Sequence, residues 1–98
     1  MSTLLVTATP AEGQQEAQGR YLKSVGALLI GAGGKPVKRL RITQSVSGDA
    51  TTKLALVMDF DNAEAISALF ESDAYRALEA DRNQGFASID IFITEDAD

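Results

Sequence analysis

Two kinds of hydrophobic spacing alternate along this chain, and their order limits the possible folds more than any other feature of the sequence. Residues 2–9, 36–46, 52–60 and 87–94 are rich in β-branched side chains or place apolar side chains at every second position, which predicts strands. In the segments after the first and third of these runs, apolar side chains recur every three or four positions, which predicts helices. The predicted order of elements is therefore β-α-β-β-α-β.

This order is typical of the split βαβ, or ferredoxin-like, arrangement. Because crossover connections are right-handed, we expect a four-stranded antiparallel sheet with the first and third strands at its centre and both helices on one face. A chain of 98 residues is long enough for one such core and too short for two. The expected fold class is α+β, as a single domain over residues 1–98.

Local signals mark the predicted ends of the first helix. Thr9 and Glu12 have the spacing of a capping box, and Pro10 suits a first helical turn, so the helix is predicted to begin there. Glycine takes the left-handed conformation that ends many helices, so Gly33 is predicted to follow the last turn. The apolar face of this helix is formed by Ala17, Tyr21, Val25, Leu28 and Leu29.

The second helical segment carries similar signals. Asp61 and Glu64 repeat the capping spacing, and Ser72 or Asp73 is predicted to restart the helix after a break. Gly85 is predicted to end it, immediately before the last strand. Its apolar stripe is formed by Ile66, Leu69 and Phe70.

The charges and the missing residue types exclude several classes of protein. Nine basic and fourteen acidic residues leave a net charge of −5, whereas binding nucleic acid requires clustered cations that neutralise phosphates. The chain has no cysteine and no histidine, which excludes disulfides, thiolate or imidazole catalysis and the usual ligands of zinc and haem. We therefore expect no nucleic-acid partner, no metal and no other cofactor.

Membrane segments are not expected either. The longest apolar stretch, residues 26–34, is far shorter than the ~20 residues that a helix needs to cross a bilayer. No basic residue precedes Leu4, so the start of the chain does not have the form of a signal peptide. The expectation is a cytoplasmic protein without a membrane partner.

The sheet face that turns away from the helices, called here the open face, predicts a partner. Because Leu5, Val57 and Phe92 would cluster on it, it is too apolar for a surface fully exposed to water, and such patches mark interfaces. We expect two copies of the chain to pack sheet to sheet as a homodimer. By alternation the open face holds Leu5, Thr7, Arg39, Arg41, Thr43, Ala55, Val57, Asp59, Ser88, Asp90 and Phe92.

One segment resembles a known family. Ser72, Tyr75, Leu78 and Arg82 match the S-x-x-Y-x-x-L-x-x-x-R pattern of small dimeric α+β-barrel proteins, and the likeness extends from about residue 21 to residue 94. More narrowly, the chain is similar to a bacterial family of domains of unknown function within that superfamily. The resemblance implies the ferredoxin-like fold and a dimer. The superfamily also includes cofactor-free quinol monooxygenases, muconolactone isomerase-like enzymes, haem-binding members and ligand-sensing domains, of which those acting through histidine are not models here.

Two carboxylates are candidate catalytic residues. Asp59 and Asp90 would serve as general bases if an apolar pocket raised their pKa. The structural alternative for Asp59 is an ion pair across the predicted hairpin, with Arg39 opposite it, or Arg41 after a shift of one step. Asp90 has no obvious partner, and its alternative is a solvated carboxylate or one at the rim of an interface.

Four further residues are candidate ligand contacts: Tyr21, Arg41, Tyr75 and Arg82. A tyrosine at the edge of a pocket donates to a substrate carbonyl, although most such rings pack in the core and bond to a backbone acceptor. Arg82 suits the binding of a carboxylate, since guanidinium pairs with it through two hydrogen bonds. Its alternative is a cation near the end of a helix, where the helix dipole favours positive charge.

Two functions fit these residues. The first is a dimeric module that binds a small organic molecule or another subunit. The second is a cofactor-independent enzyme, similar to a monooxygenase or an isomerase, in which a carboxylate acts as base and a tyrosine or arginine orients the substrate. Because histidine is the commonest proton-transfer residue near neutral pH, its absence favours the first function.

Overall fold

A computed structural model of the protein describes residues 1–97, so Asp98, at the end of the expected domain, lies outside the described residues. The four strands and the two helical segments follow one another in the predicted order. There are four helices in total, because the second helical segment is divided into three. Their bounds are β1 (Ser2–Pro10), α1 (Gln15–Gly31), β2 (Lys35–Arg41), β3 (Leu54–Phe60), α2 (Ala63–Glu71), α3 (Asp73–Arg76), α4 (Glu79–Gly85) and β4 (Phe86–Thr94).

The strands form one antiparallel sheet in the order β2-β3-β1-β4, which confirms the prediction that the first and third strands are central. Leu4 pairs with Met58 on one side and with Ile93 on the other, so these three side chains share the face that the helices cover. The ferredoxin-like α+β fold is confirmed.

The core lies between this covered face and the helices. Leu4 and Ile66 are completely buried, and Phe60 is 1 % exposed. The predicted apolar face of α1 is also confirmed, since its fully buried residues are spaced by four along the helix. They are Ala17, Tyr21, Val25 and Leu29.

The start of α1 differs from the prediction. Thr9 caps no helix: it lies in β1 opposite Ser88, and its buried Oγ1 has no hydrogen-bond partner within residues 1–97. The helix begins at Gln15, after a turn in which Gly13 has a φ of +76°. The capping-box spacing was misleading because pairing with β4, which is distant in sequence, extends the strand to Pro10.

The end of α1 is as predicted. Gly33 has a φ of +92°, and its N–H donates to the carbonyl of Ile30, while the N–H of Gly34 donates to that of Leu29. These two bonds form a Schellman motif, which satisfies carbonyls that the helix leaves unpaired. A Cβ on Gly34 would lie 2.7 Å from Cζ of Phe60, so this close approach to β3 requires glycine.

Side-chain caps begin two of the later helices. Asn62, rather than the predicted Asp61, caps α2, and its Oδ1 accepts from the N–H of Ala65 at 2.9 Å. Ser72 caps α3 as predicted, since its Oγ accepts from the N–H of Tyr75 at 3.2 Å. This second cap fixes the chain direction that carries Tyr75 into the core.

Strand β2 contains an irregularity that the alternation of its residues does not show. Pro36 lies opposite Met58, but the next residue of β3, Val57, lies opposite Lys38. Val37 is therefore an extra residue, as in a β-bulge. Each later residue of the strand points to the side opposite to the one it would have in an uninterrupted strand.

The bulge corrects the predicted faces of β2. Arg39 and Arg41 lie opposite Leu56 and Leu54, whose side chains point towards the helices, so both arginines belong to the covered side. Leu40 lies opposite Ala55 and is turned towards the open face, although both residues also border the space between the sheet and α1. The alternation of side chains predicted both arginines on the open face, because it did not reveal the interruption of the strand at Val37.

Candidate functional site

A cavity of about 370 Å³ lies between the covered face of the sheet and α1. Its wall is mainly apolar and draws on β1, β3 and β4 as well as on α1 and α2. The apolar and aromatic residues that line it include Val6, Ala8, Tyr21, Leu22, Val25, Leu29, Leu54, Leu56, Phe70, Phe86, Ile89 and Ile91.

Two cations contribute to this otherwise apolar wall. Arg39 and Arg41 line the cavity from the edge strand β2, and both are exposed. Within residues 1–97, neither takes part in a salt bridge or a side-chain hydrogen bond. The prediction of Arg41 as a ligand contact thus remains open, although the bulge places this residue on the side that the alternation did not indicate.

The other candidate ligand contacts form a connected chain. The hydroxyl oxygens of Tyr21 and Tyr75 lie 2.8 Å apart, and Nη1 of Arg82 donates to the Tyr75 hydroxyl at 3.1 Å. Nη2 of Arg82 also contacts Oε2 of Glu79 at 3.3 Å, and its guanidinium lies 5.8 Å from the centre of the Tyr75 ring. Helix packing therefore brings together residues that are 54 and 7 positions apart.

The hydroxyls of Tyr21 and Tyr75 together carry one more hydrogen than their hydrogen bonds require. The two hydroxyls carry two hydrogens, but only one bond joins them, and Arg82 acts as a donor to Tyr75. Within residues 1–97, neither hydroxyl has another acceptor, so one phenolic hydrogen stays available. Burial, followed by the bond to Tyr75, raises the pKa of Tyr21 well above its ordinary value, so this phenol is neutral and suited to donating a hydrogen bond.

Aromatic rings fix the position of Tyr21. Its ring meets those of Tyr75 and Phe86 edge to face, with centres 6.3 and 5.7 Å apart, and Phe70 meets Tyr75 in the same way at 4.7 Å. Such contacts are each favourable by about 0.5–1.5 kcal/mol. Both tyrosines pack in the core, as in the alternative to a ligand contact, since they are 2 % and 3 % exposed, but their hydroxyls bond to each other rather than to a backbone acceptor.

A shallower groove of about 400 Å³ lies on the other side of this aromatic cluster. Tyr75, Glu79 and Arg82 line it, together with Ile93 near the end of β4. Phe70 and Ile91 border both the groove and the cavity, so the two spaces are neighbours.

The two candidate catalytic carboxylates lie elsewhere. Asp59 and Asp90 belong to the open face, on the opposite side of the sheet from the cavity. Asp59 accepts a hydrogen bond from Thr3 at 2.7 Å and lies opposite Lys35. The predicted pairing of Asp59 with Arg39 is wrong, because β2 and β3 pair in a register that places Arg39 opposite Leu56, three residues away from Asp59. Neither carboxylate converges with Tyr21 or Arg82 on one point.

The predicted apolar cluster on the open face is present. Leu5 pairs with Val57 on one side and with Phe92 on the other, so the three side chains form a row across three strands. Phe92 is 49 % exposed, and Leu40, which the bulge adds to this face, is 45 % exposed. These four residues, with Leu40 in the row next to that of Val57, are called here the apolar strip of the open face.

The part of the chain that comprises residues 1–97 contains no group of three or more acidic side chains placed to hold a metal ion. It also contains no helix of the length and apolar character needed to cross a membrane.

Comparison with known families assigns the chain. Residues 4–97 match the model of a domain of unknown function, DUF1330. The chain belongs to the DUF1330 family. A comparison with curated proteins finds no match for this DUF1330 domain.

Solved structures share the fold of this DUF1330 domain. A Rhodopseudomonas palustris protein of unknown function is 14% identical with a TM-score of 0.81, over 99% of this chain and 82% of that one. A dimeric protein of unknown function with a ferredoxin-like fold, from Bacteroides fragilis, is 13% identical with a TM-score of 0.65, over 97% and 95%. A proposed antibiotic biosynthesis monooxygenase from Nitrosomonas europaea is 17% identical with a TM-score of 0.68, over 98% of both chains.

Sequence reasoning missed one residue of the DUF1330 cavity that carries charge. Arg39 was assigned only to the open face, as a partner of Asp59, because the alternation gave no sign of the bulge. Pro36 is the one local signal that could have indicated it, since proline within a strand is confined to edge strands, first positions and bulges.

Proposed function

We propose that this DUF1330 domain binds a small organic molecule in the cavity between the sheet and α1. The observation that carries the proposal is the cavity itself: its volume of about 370 Å³ lies in the range of roughly 300–1,000 Å³ typical of ligand pockets. Its wall combines apolar side chains with a few polar groups, as such sites do. Leu22 is 43 % exposed at the surface of α1, so the cavity has an approach from solvent.

The four candidate ligand contacts have different parts in this proposal. Tyr21 and Arg41 line the cavity and would touch the ligand directly. Tyr75 and Arg82 would act through Tyr21, because their hydrogen bonds hold its hydroxyl in one position. Tyr75 and Arg82 are therefore proposed as positioning residues for a ligand in the cavity.

A thermal-shift screen against small acids, quinols and lactones tests the proposal. A ligand that binds only the folded protein stabilises it by about 2.7 kcal/mol at a hundredfold excess over Kd, which raises the melting temperature measurably. Leu22→Trp narrows the mouth of the cavity and should abolish the shift. The matched control Ile30→Trp, on an exposed position of α1 outside the cavity wall, should retain it. A shift that survives Leu22→Trp would place the ligand elsewhere.

We also propose that the domain forms a homodimer through the open face. The apolar strip of Leu5, Val57, Phe92 and Leu40 supports this proposal, and so does the dimeric state of the Bacteroides fragilis protein with the same fold. In such a dimer Asp59 and Asp90 would lie within or beside the contact.

Size-exclusion chromatography with light scattering tests the dimer. The wild-type chain should have twice the mass of one chain at micromolar concentration, and Phe92→Asp should be monomeric because it places a charge in the apolar strip. Ile30→Asp, which adds the same charge on α1, should remain dimeric. A monomeric wild-type chain would contradict the proposal.

A cofactor-independent enzyme is the second candidate function. The proposed monooxygenase from Nitrosomonas europaea shares the fold, and Tyr21 lines the cavity with a phenol whose hydrogen is free for a substrate oxygen when Tyr75 donates the bond between the two hydroxyls. The position of Asp59 and Asp90 outside the cavity weighs against them as bases. Oxygen consumption with a panel of quinols, which Tyr21→Phe should reduce, tests this candidate.

We propose that residues 1–98 act as one domain in the cytoplasm, without a nucleic-acid partner. The net charge of −5 supports the proposed absence of a nucleic-acid partner, since phosphates repel an acidic surface. Cell fractionation tests the location, and a DNA- and RNA-binding assay at low salt tests the partner.

A further inference from the structure

The basic residues of this acidic chain are unevenly placed. Four of the nine lie in the seven residues of β2, and the strand sorts them by type. Lys35 and Lys38 pair with Asp59 and Val57 on the open face, whereas the two arginines of the strand face the cavity.

The two arginines are placed to act together. Arg39 and Arg41 are two positions apart in a strand, so their Cα atoms are roughly 7 Å apart and their side chains leave the same side of the sheet. Within residues 1–97 they form no ion pair, although the chain has fourteen acidic residues. Two like charges side by side at an apolar cavity repel each other, and a bound anion relieves that repulsion.

The rest of the cavity wall suits an apolar group and does not compete with the arginines for an anion. Its remaining wall is apolar and aromatic, and no aspartate or glutamate within residues 1–97 lines it. An anion that enters it therefore meets cations without a competing carboxylate. The apolar part of the same molecule meets side chains such as Val25 and Leu29, which gain from losing contact with water.

We propose that the cavity selects a small organic carboxylate with an apolar or aromatic body. The carboxylate binds the guanidinium groups of Arg39 and Arg41, and the apolar body lies between the sheet and α1. Guanidinium presents two parallel N–H donors that match the two oxygens of a carboxylate, which lysine does not. This inference rests on the proposed function, since it concerns the ligand of the same cavity.

A matched pair of probes tests the role of charge. 2-Naphthoate and 2-naphthamide share one aromatic body and differ in the anionic group, and isothermal titration calorimetry measures both dissociation constants. We expect wild-type protein to bind 2-naphthoate at least about tenfold more tightly, since hydrogen bonds between charged groups are the stronger ones.

Three double variants of β2 locate the effect. Arg39→Gln with Arg41→Gln should weaken 2-naphthoate binding to the level of 2-naphthamide and leave the amide unchanged. Lys35→Gln with Lys38→Gln removes the same charge from the same strand on its other face, and should leave both affinities within about twofold of wild type. Arg39→Lys with Arg41→Lys keeps the charge and loses the paired donors, so its affinity for 2-naphthoate should be intermediate.

The outcomes separate this inference from the proposed function. Equal affinity of the wild-type protein for both probes would overturn the carboxylate preference and leave the cavity as a ligand site. An equal loss of 2-naphthoate binding in the lysine and arginine variants would also overturn it, because net charge would then be the cause. If neither probe binds at millimolar concentration, the proposed function and this inference both fail.

Discussion

The hydrogen bond between the hydroxyls of Tyr21 and Tyr75 provides a direct test of how the side chains pack in the core. It joins α1 to α3 over 2.8 Å, between two side chains that are almost completely buried. Tyr21→Phe and Tyr75→Phe each remove one hydroxyl and keep the ring, so the aromatic contacts and the packing stay in place. The two single variants and the double variant together form a cycle that isolates the bond.

The structure sets the expected size of each effect. Tyr21→Phe removes one bond between neutral groups, which costs about 1 kcal/mol of the free energy of unfolding. Tyr75→Phe also removes the bond that Arg82 donates, so its cost rises to about 2 kcal/mol. Because the shared bond is lost in both single variants, the double variant should cost about 1 kcal/mol less than their sum.

Urea unfolding followed by circular dichroism measures these differences. For a domain of this size each 1 kcal/mol also lowers the melting temperature by about 4–8 °C, which gives a second measurement. All variants must be compared at one protein concentration, since a dimer gains stability from association. An interaction energy below about 0.3 kcal/mol would refute the reasoning, because the two hydroxyls would then act independently.

Three further predictions follow from single groups. Gly34→Ala should destabilise the fold by about 1–3 kcal/mol in urea unfolding because its Cβ would clash, whereas Gly19→Ala, on the open surface of α1, should stabilise it by up to about 1 kcal/mol. Asp59→Asn keeps an acceptor for Thr3, so it should cost less than about 1 kcal/mol and leave 2-naphthoate binding unchanged in calorimetry. The folded state favours the neutral phenol of Tyr21. The contribution of Tyr21 to stability is therefore complete below pH 10 and is lost as the pH rises from there towards its raised folded-state pKa. The absorbance of phenolate should show that Tyr21 ionises at a higher pH than a free tyrosine.

The sequence was sufficient to predict most of the sheet. Around Leu5, Val57 and Phe92 the alternation of side chains is uninterrupted, so it correctly placed these three residues on one face of the sheet. The apolar spacing of α1 was equally reliable, because a helix that covers a sheet must turn one stripe towards it. These predictions depended on periodicity alone.

The parts that failed depend on contacts between distant residues. Thr9 had the pattern of a helix cap, but its pairing with Ser88 kept it in a strand. The contact of Tyr21 with Tyr75 joins residues 54 positions apart, and no local spacing encodes it. Arg39 was missed as a residue of the cavity for a similar reason, since a bulge becomes visible only when two strands are aligned.

The extra residue Val37 gives the edge strand an unusual evolutionary freedom. If the bulge were lost while Val37 was retained, Val37 would pair with Val57, and the regular pleat would turn Leu40 inward and both arginines outward. Because β2 borders only one other strand, such a change would leave the three remaining strands in place. Loss of this bulge would thus remove both cations from the pocket rim and would change the ligand preference of a chain that keeps the same fold.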